Sequence, residues 1–472
     1  MAAEQLPGRR SVPPGPLADP VARRREQRGW YFYDWANSAF YTTVSTVLAG
    51  PYLTAVATES ACPGLADGER CEGTVALLGV IPVSPGSLYA FLITISTIVI
   101  AVTLPFVGAV ADRSPRKRVL LARFAWTGAA LGAGLFLVTG SNWALGATLL
   151  VLVNFCFAAS ITVYDAILVD VATADERDRV SSRGWALGYA AGFLLLVLNL
   201  GLVLGAESIG LSEGLAVRVS MLSGALWWAG FTLVPYLTLR DRQATAVVGV
   251  RRPGVAGAVR GSLGQLRDTL REARRYPQTL LFLVAYVFFN DGVQTVITVS
   301  SIYGAEELGF ATSELIVAIV VVQFVAIGGA LGFGRLAAEF GAKRTILGSL
   351  VLWTVVVAAG FVLPAGDLGL FVGLAAGIGL VLGGTQALSR SLYSQLVPYG
   401  KQAEYFSLYQ AAERGTSWLG TLTFGVVQQL TGSYRWAIVA VVVFFVVGGL
   451  LLARVDVRRG IREAGNEVPR VV

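Results

Sequence analysis

Histidine is absent from all 472 residues, lysine occurs three times against 34 arginines, methionine twice and cysteine three times. Without histidine, the chain lacks the side chain that titrates near neutrality and ligates most zinc sites. A proton relay must therefore run through carboxylates, and neither a metal nor another cofactor is expected. Charge is also scarce, at 14% of the residues, where a soluble domain carries about a quarter. Apolar residues take its place, at 55% with a mean hydropathy of +0.65, the composition of a polytopic membrane protein. The net charge of +7 does not point to nucleic acid, because the basic residues recur in short clusters between apolar runs instead of forming one patch. Residues 1–29 are polar, basic and Pro-rich, without the apolar core of a secretory leader.

A bilayer core takes about 20 apolar residues per helix. Apolar runs between charged or Gly/Pro-rich breaks give twelve spans, near 30–57, 87–111, 119–139, 144–170, 183–205, 216–239, 278–302, 314–338, 345–364, 369–396, 407–430 and 435–454. The segments on one side of these spans hold 30 Lys and Arg, and the other side holds only Arg70 and Arg435. That asymmetry puts both termini in the cytoplasm. The expected organisation is a cytoplasmic tail (1–29), a six-helix bundle (30–239), a basic linker (240–277) with an amphipathic helix around 260–275, a second six-helix bundle (278–454) and a cytoplasmic tail (455–472). Cys62 and Cys71 lie in the outer loop 58–86, on the oxidising side, with eight residues between them. A disulfide is expected there, two free thiols being the alternative.

Charge within a span is costly unless it faces a bundle interior or a wet cavity, so the ionisable positions are the candidates for function. In the first span Asp34, Asn37, Ser38 and Tyr41 stand at i, i+3, i+4 and i+7, and in the seventh Asp291, Gln294, Thr295 and Thr298 repeat that spacing, each set forming one stripe. Asp165 in the fourth span and Arg390 in the tenth lie 225 residues apart, each a few residues short of its cytoplasmic end, with Gln386, Ser389 and Tyr393 beside Arg390. The turns Gly108–Arg118 and Gly334–Arg344 repeat at an offset of 226. Four equivalent helices with polar faces imply a central aqueous pathway between two halves, which is a transporter's geometry. Arg390 needs an anionic partner, either Asp165 or a substrate carboxylate. Asp291, about 16 Å into its helix, is the expected proton carrier, with Asp34 as its repeat mate; for Asp34 the alternative is simple solvation from the cytoplasm. Glu413 and Arg414, pointing about 100° apart, read as packing or gating residues, and Trp30, Tyr31 and Trp35 as interfacial anchors.

The stretch Gly108-Ala-Val-Ala-Asp112-Arg113-Ser-Pro-Arg116-Lys117-Arg118 resembles the loop motif of the major facilitator superfamily, with Pro115 where a second glycine usually stands. Tyr33–Phe40 (YDWANSAF), Val180–Tyr189 (VSSRGWALGY), Asn290–Thr295 (NDGVQT) and Gly384–Ser391 (GTQALSRS) resemble signatures of the bacterial branch related to the fungal vacuole effluxers. The resemblance runs from about Trp30 to Leu452. It implies the all-α major facilitator fold, with twelve transmembrane helices in two pseudo-symmetric six-helix bundles that alternate access. It also implies a monomeric carrier, surrounded by membrane lipid in the cell membrane, for a small-molecule substrate. Fungal relatives are associated with amino-acid release, so amino-acid efflux is expected, with protons as the expected coupling ion. The pathway residues expected on these grounds are Asp34, Asn37, Ser38, Tyr41, Asp165, Asn290, Asp291, Gln294, Thr295, Gln386, Ser389 and Arg390. The cytoplasmic gate implied by the resemblance comprises Gly108, Asp112, Arg113, Arg116 and Asp170: Asp112 caps a neighbouring helix and Arg116 pairs with Asp170. Ala338 takes the aspartate's place in the second loop, so only the first should form this latch. Two alternatives share the pattern, a pump for drugs or another small metabolite and a transporter-like receptor that binds without moving solute. A membrane enzyme is not expected, since no nucleophile–base constellation and no sizeable soluble domain is present.

Overall fold

The computed structural model describes residues 19–64, 71–242, 271–415 and 418–472. Residues 243–270, which hold most of the expected linker and of its amphipathic helix, lie outside them, as do Arg70 and residues 1–18 of the expected tail.

The first helix, α1 (Pro20–Phe40), begins inside the expected tail. The reason is local. The Asp19 carboxylate accepts from the backbone N–H of Val21 (2.9 Å) and Ala22 (3.0 Å), and Pro20 fills the first helical position, where no N–H is needed. The chain continues as a π-helical stretch, Tyr41–Leu48, in which the Ala49 N–H reaches back five residues to the Val44 carbonyl, and then as α2 (Ala49–Ala61). Pro51, which has no N–H to give to the ladder, is the third residue of α2, and the wider turn before it accommodates the lost rung.

Between α2 and the next helix lie two short antiparallel strands, β1 (Val75–Leu77) and β2 (Ile81–Val83), with Val75 opposite Val83. They amend the all-α expectation by one small hairpin. Cys62 and Cys71 are disulfide-bonded in the same loop, their Cα atoms 5.9 Å apart. The helices that follow are α3 (Pro85–Arg113), α4 (Lys117–Gly134), α5 (Trp143–Val171), α6 (Arg177–Leu204) and α7 (Glu213–Thr238). Past the linker come α8 (Pro277–Glu306), α9 (Thr312–Phe340), α10 (Ala342–Phe361), α11 (Leu368–Leu396), α12 (Gln402–Gly415), α13 (Trp418–Thr431), α14 (Tyr434–Ala440), α15 (Val442–Arg454) and the short α16 (Val457–Glu463).

This is a multi-pass helical membrane protein: among the described residues, ten helices are long and apolar enough to cross a bilayer. Two of the twelve expected spans are not among the ten. The first is the interrupted run α1–π–α2, and the eleventh contains residues 416–417, which lie outside the described residues. Large apolar side chains such as Leu198, Val351 and Val355 are exposed on the outside, as lipid contact requires.

Before the linker, α1 packs on α6 and α7, and α5 on α3 and α4. After it, α11 packs on α9 and α10, and α8 on α13 and α15. Helices from the two parts meet where α6 lies against α9 and α11 and where α3 lies against α12. The last contact is very close: a Cβ added to Gly108 would stand 2.5 Å from the Ala403 carbonyl oxygen. The molecule thus has two ends. The hairpin and disulfide lie at one, the disulfide face, and both described termini at the other, the terminal face. Residues 455–472 are packed there and do not hang free: the Asn466 amide donates to the carbonyls of Gln395 (2.7 Å) and Val397 (2.8 Å), and the Arg470 N–H donates to Asp175 (2.7 Å).

Because only a hydrogen fits between Gly108 and α12, Gly108→Ala should destabilise the protein by about 1–3 kcal/mol through overpacking. Gly328→Ala, at a position with nothing within 4 Å of the new methyl group, should leave the melting temperature in detergent unchanged or raised.

Candidate transport site and its gate

Arg390 projects from α11 into a cluster built by three helices of the first part. Its Nε donates to the Ser181 hydroxyl (3.0 Å), Nη1 to Asp34 Oδ1 and Asp165 Oδ1 (3.4 Å each), and Nη2 to Asp34 Oδ2 (3.0 Å) and the Ser181 carbonyl (3.1 Å). A guanidinium has five N–H donors, and here each has an acceptor. Its carbon stands 4.8 Å from the Trp30 ring centre, 5.3 Å from Trp185 and 5.4 Å from Tyr164. Cation–π attraction is strongest where water is excluded, and Arg390, Asp34 and Asp165 are all buried.

The partners are themselves fixed. The Tyr164 hydroxyl donates to Asp34 (2.7 Å), the Trp30 indole donates to the Tyr164 carbonyl (3.0 Å), and Gln410 donates to Asp165 (3.2 Å). The Ser181 hydroxyl, while accepting from Arg390, donates to the Ala387 carbonyl one turn earlier in α11 (2.7 Å). Gly184, one turn along α6 from Ser181, makes room for the ion pair: a Cβ there would sit 2.3 Å from Asp34 Oδ2.

Other bonds between the two parts of the chain close the terminal face around this cluster. At the end of α3, Asp112 accepts from the N–H groups of Ala403 and Glu404 (2.9 Å each), capping the start of α12. Arg177 donates to the Ser394 carbonyl (3.0 Å) and Ser391 to Asp178 (2.5 Å). The expected Arg116–Asp170 pair is not formed. Arg116 is exposed, ahead of the first turn of α4, and makes no ion pair among the described residues; Lys117, the first residue of that helix, reaches Asp170 at 3.1 Å. Arg113 is exposed as well.

A cavity of about 690 Å³ extends from Asp34, Asp165 and Arg390 towards the disulfide face, as far as Ser301, Leu315 and Phe371. Asn37, Ser38, Tyr41, Gln294 and Gln386 line it. Four of the expected pathway residues do not. Asp291 faces the other way, where its Oδ2 accepts from the Gly420 N–H of α13 (2.8 Å). Thr295 packs against Gly420, and Ser389 donates to the Thr385 carbonyl in its own helix (2.7 Å). Asn290 stands behind the wall, accepting from Gln386 (2.9 Å) and donating to the Glu413 carbonyl (3.3 Å). Asp34 and Asp291, repeat mates in sequence, therefore occupy different environments. Trp30 is fully buried as a platform for Arg390, and is not an interfacial anchor. Residue reasoning missed Ser181 and Tyr164, although Ser181 lies within one of the motif stretches.

A buried ion cluster joining two helix sets, at the base of a cavity in an apolar helical protein, defines a membrane transporter of the major facilitator type. A family model described as "Vacuole effluxer Atg22 like" matches residues 22–177 and 169–465, and the chain belongs to that family. It is 30% identical over 449 residues to the uncharacterised MFS-type transporter YxiO of Bacillus subtilis, an alignment covering 94% of this chain and 98% of that one. It is 24% identical over 535 residues to autophagy-related protein 22 of Gibberella zeae, covering 94% and 81% respectively. Among solved structures, a bacterial homologue of the iron transporter ferroportin in its outward-facing state superposes with a TM-score of 0.63 at 12% identity, covering 92% of this chain and 98% of that one. The major facilitator superfamily transporter FucP in its outward conformation gives 0.62 at 11% identity, with the same coverages. These structural likenesses bear on the fold alone.

Removing Arg390 would strand two buried carboxylates. Arg390→Ala should therefore cost about 3–5 kcal/mol of stability, read as a lower melting temperature in detergent. Adding Asp34→Asn to Arg390→Ala should restore part of the loss, because one of the two uncompensated charges is then gone; no recovery in the double variant would show that the ion pair is not the reason for the damage.

Proposed function

We propose that this protein is a secondary transporter that exports a small zwitterionic solute, an amino acid, across the cytoplasmic membrane. It does so by alternating access between two six-helix bundles, with both termini in the cytoplasm. One observation carries the reading. All five donors of Arg390, on α11, are met by Asp34, Asp165 and Ser181 of the other bundle at the base of the cavity. With the terminal face cytoplasmic, this is an outward-open conformation, and Arg390 with its acceptors is the inner gate. Opening the gate breaks bonds that water cannot replace until it enters. A bound solute that offers both an anionic and a cationic group can compensate that loss on each side.

Two carboxylates share one guanidinium in this cluster. When the bundles part, one of them loses its counter-charge, and a proton is the simplest replacement. That supports proton coupling through Asp34 and Asp165, in place of Asp291, whose carboxylate is held by the Gly420 N–H. A pump for hydrophobic compounds is the second reading, and the apolar upper wall of the cavity, with Ile297, Ile319, Leu374 and Ile378, favours it.

The substrate class is tested by thermal shift of the purified chain against the twenty proteinogenic L-amino acids, sugars, nucleosides and hydrophobic drugs, since a bound ligand stabilises by RT ln(1 + [L]/Kd). Stabilisation by amino acids, with counterflow of the same compounds in liposomes, is the expected result. Stabilisation only by drugs would establish the second reading, and binding without counterflow would make the protein a receptor. The gate is tested separately. Lys117→Met and Asp170→Asn should each raise the reactivity of a cysteine at the cytoplasmic end of α12 towards a membrane-impermeant maleimide; unchanged reactivity would remove that pair from the gate.

A further inference from the structure

The walls of the cavity carry two guanidiniums, and only one of them is saturated. Arg390 has no donor to spare. Arg414, on α12, lies 5.5 Å from the Tyr41 ring centre and 5.3 Å from that of Phe157, two rings stacked on each other at 4.9 Å. Among the described residues it makes no ion pair and no hydrogen bond, and its Nε is buried without a partner. A guanidinium so placed is held in position from one side by aromatic faces, while its terminal nitrogens stay available to a bidentate anion. Arginine is also less strongly hydrated than lysine, and so easier to strip of water for this purpose.

We propose that Arg414, and not Arg390, receives the carboxylate of the transported solute in the outward-open state. This assignment rests on the reading of the protein as a carrier of zwitterions and says where the zwitterion docks. The charges around the cavity agree with it. Asp34, Asp165 and Glu413 stand in the wall against Arg390 and Arg414, so the wall bears one formal negative charge in excess. A plain anion would meet Arg414 but be repelled by the remainder, whereas a zwitterion would also present an ammonium to the carboxylates. Dicarboxylates are disfavoured on the same ground. The apolar wall beyond, from Ile297 and Leu315 to Phe371 and Ile378, suits an apolar side chain. The chemical class is therefore an apolar amino acid with one free carboxylate. Tyr41 and Phe157 belong to one bundle and Arg414 to the other, so a carboxylate on Arg414 would sit at the seam that must move, while Arg390 remains the gate.

The test uses the purified full-length chain and the twenty L-amino acids, with the C-terminal amide of each one that stabilises it. In the wild type the acid should bind about tenfold or more tightly than its amide, as a charged hydrogen-bond pair implies. Arg414→Gln should remove that discrimination, and Arg414→Lys should keep a reduced one. An acid–amide difference that survives Arg414→Gln overturns the assignment. Should Arg414→Gln not fold, phenylglyoxal modification of the wild type, followed at Arg414 by peptide mass spectrometry, decides the matter. The acid should slow the modification about tenfold at saturation and the amide should not; equal rates with acid, amide and buffer overturn the assignment. If no amino acid stabilises the wild type, the zwitterion reading itself fails and this assignment with it, an outcome distinct from stabilisation that ignores Arg414.

Discussion

A guanidinium cannot be neutralised in practice, and within a membrane protein it cannot rely on water, so each of its five N–H groups demands an acceptor. At Arg390 the demand is met only when α1, α5 and α6 come together against α11. Much of the surrounding sequence serves that requirement. Gly184 leaves space for the Asp34 carboxylate, Tyr164 and Trp30 form a stacked wall whose ring centres are 4.3 Å apart, and Ser181 ties α6 to α11 through both its hydroxyl and its carbonyl. Nearer the terminal face, the bonds of Asp112 and Lys117 are part-buried and open to solvent competition, while that of Arg177 is buried. They add to a closure that Arg390 centres.

A departure from regular helix flanks the cavity. The π-helical stretch carries Tyr41, Thr42, Ser45 and Thr46 into its wall. On the opposite side, α12 carries Glu413 and Arg414 into the wall, and behind it the Asp291 carboxylate accepts from the Gly420 N–H of α13. This gives Asp291 a structural task in the state seen here, and leaves Asp34 and Asp165 as the carboxylates that share a mobile partner.

The spans could be read from hydrophobic run length because the bilayer imposes it directly. What run length does not register is the π-helical stretch inside the first, since the residues around Pro51 leave the apolar run unbroken. The pairing of Asp165 with Arg390 was legible as opposite charges at equivalent depth in equivalent helices. The participation of Asp34 was not: its repeat relation to Asp291 suggested a symmetric role, but symmetry of position does not carry over to partners when one half supplies an arginine and the other carboxylates. Lys117 in place of Arg116 on Asp170 depends on where α4 begins, a matter of one residue that side-chain type alone cannot decide. Arg414 read as a packing or gating residue because it and Glu413 point about 100° apart on their helix, a geometry that does not reveal that its side chain reaches the rings of Tyr41 and Phe157 on the other side of the seam.

The claim that Arg390 holds the terminal face shut is tested most directly by electron–electron distance measurements between spin labels at Arg179 and Glu339, exposed positions on the terminal-face ends of α6 and α9, with and without Arg390→Ala. The wild type should give a single short distance, and Arg390→Ala a broader distribution shifted to longer distances as the two helix sets separate. Identical distributions in the two proteins would contradict the account.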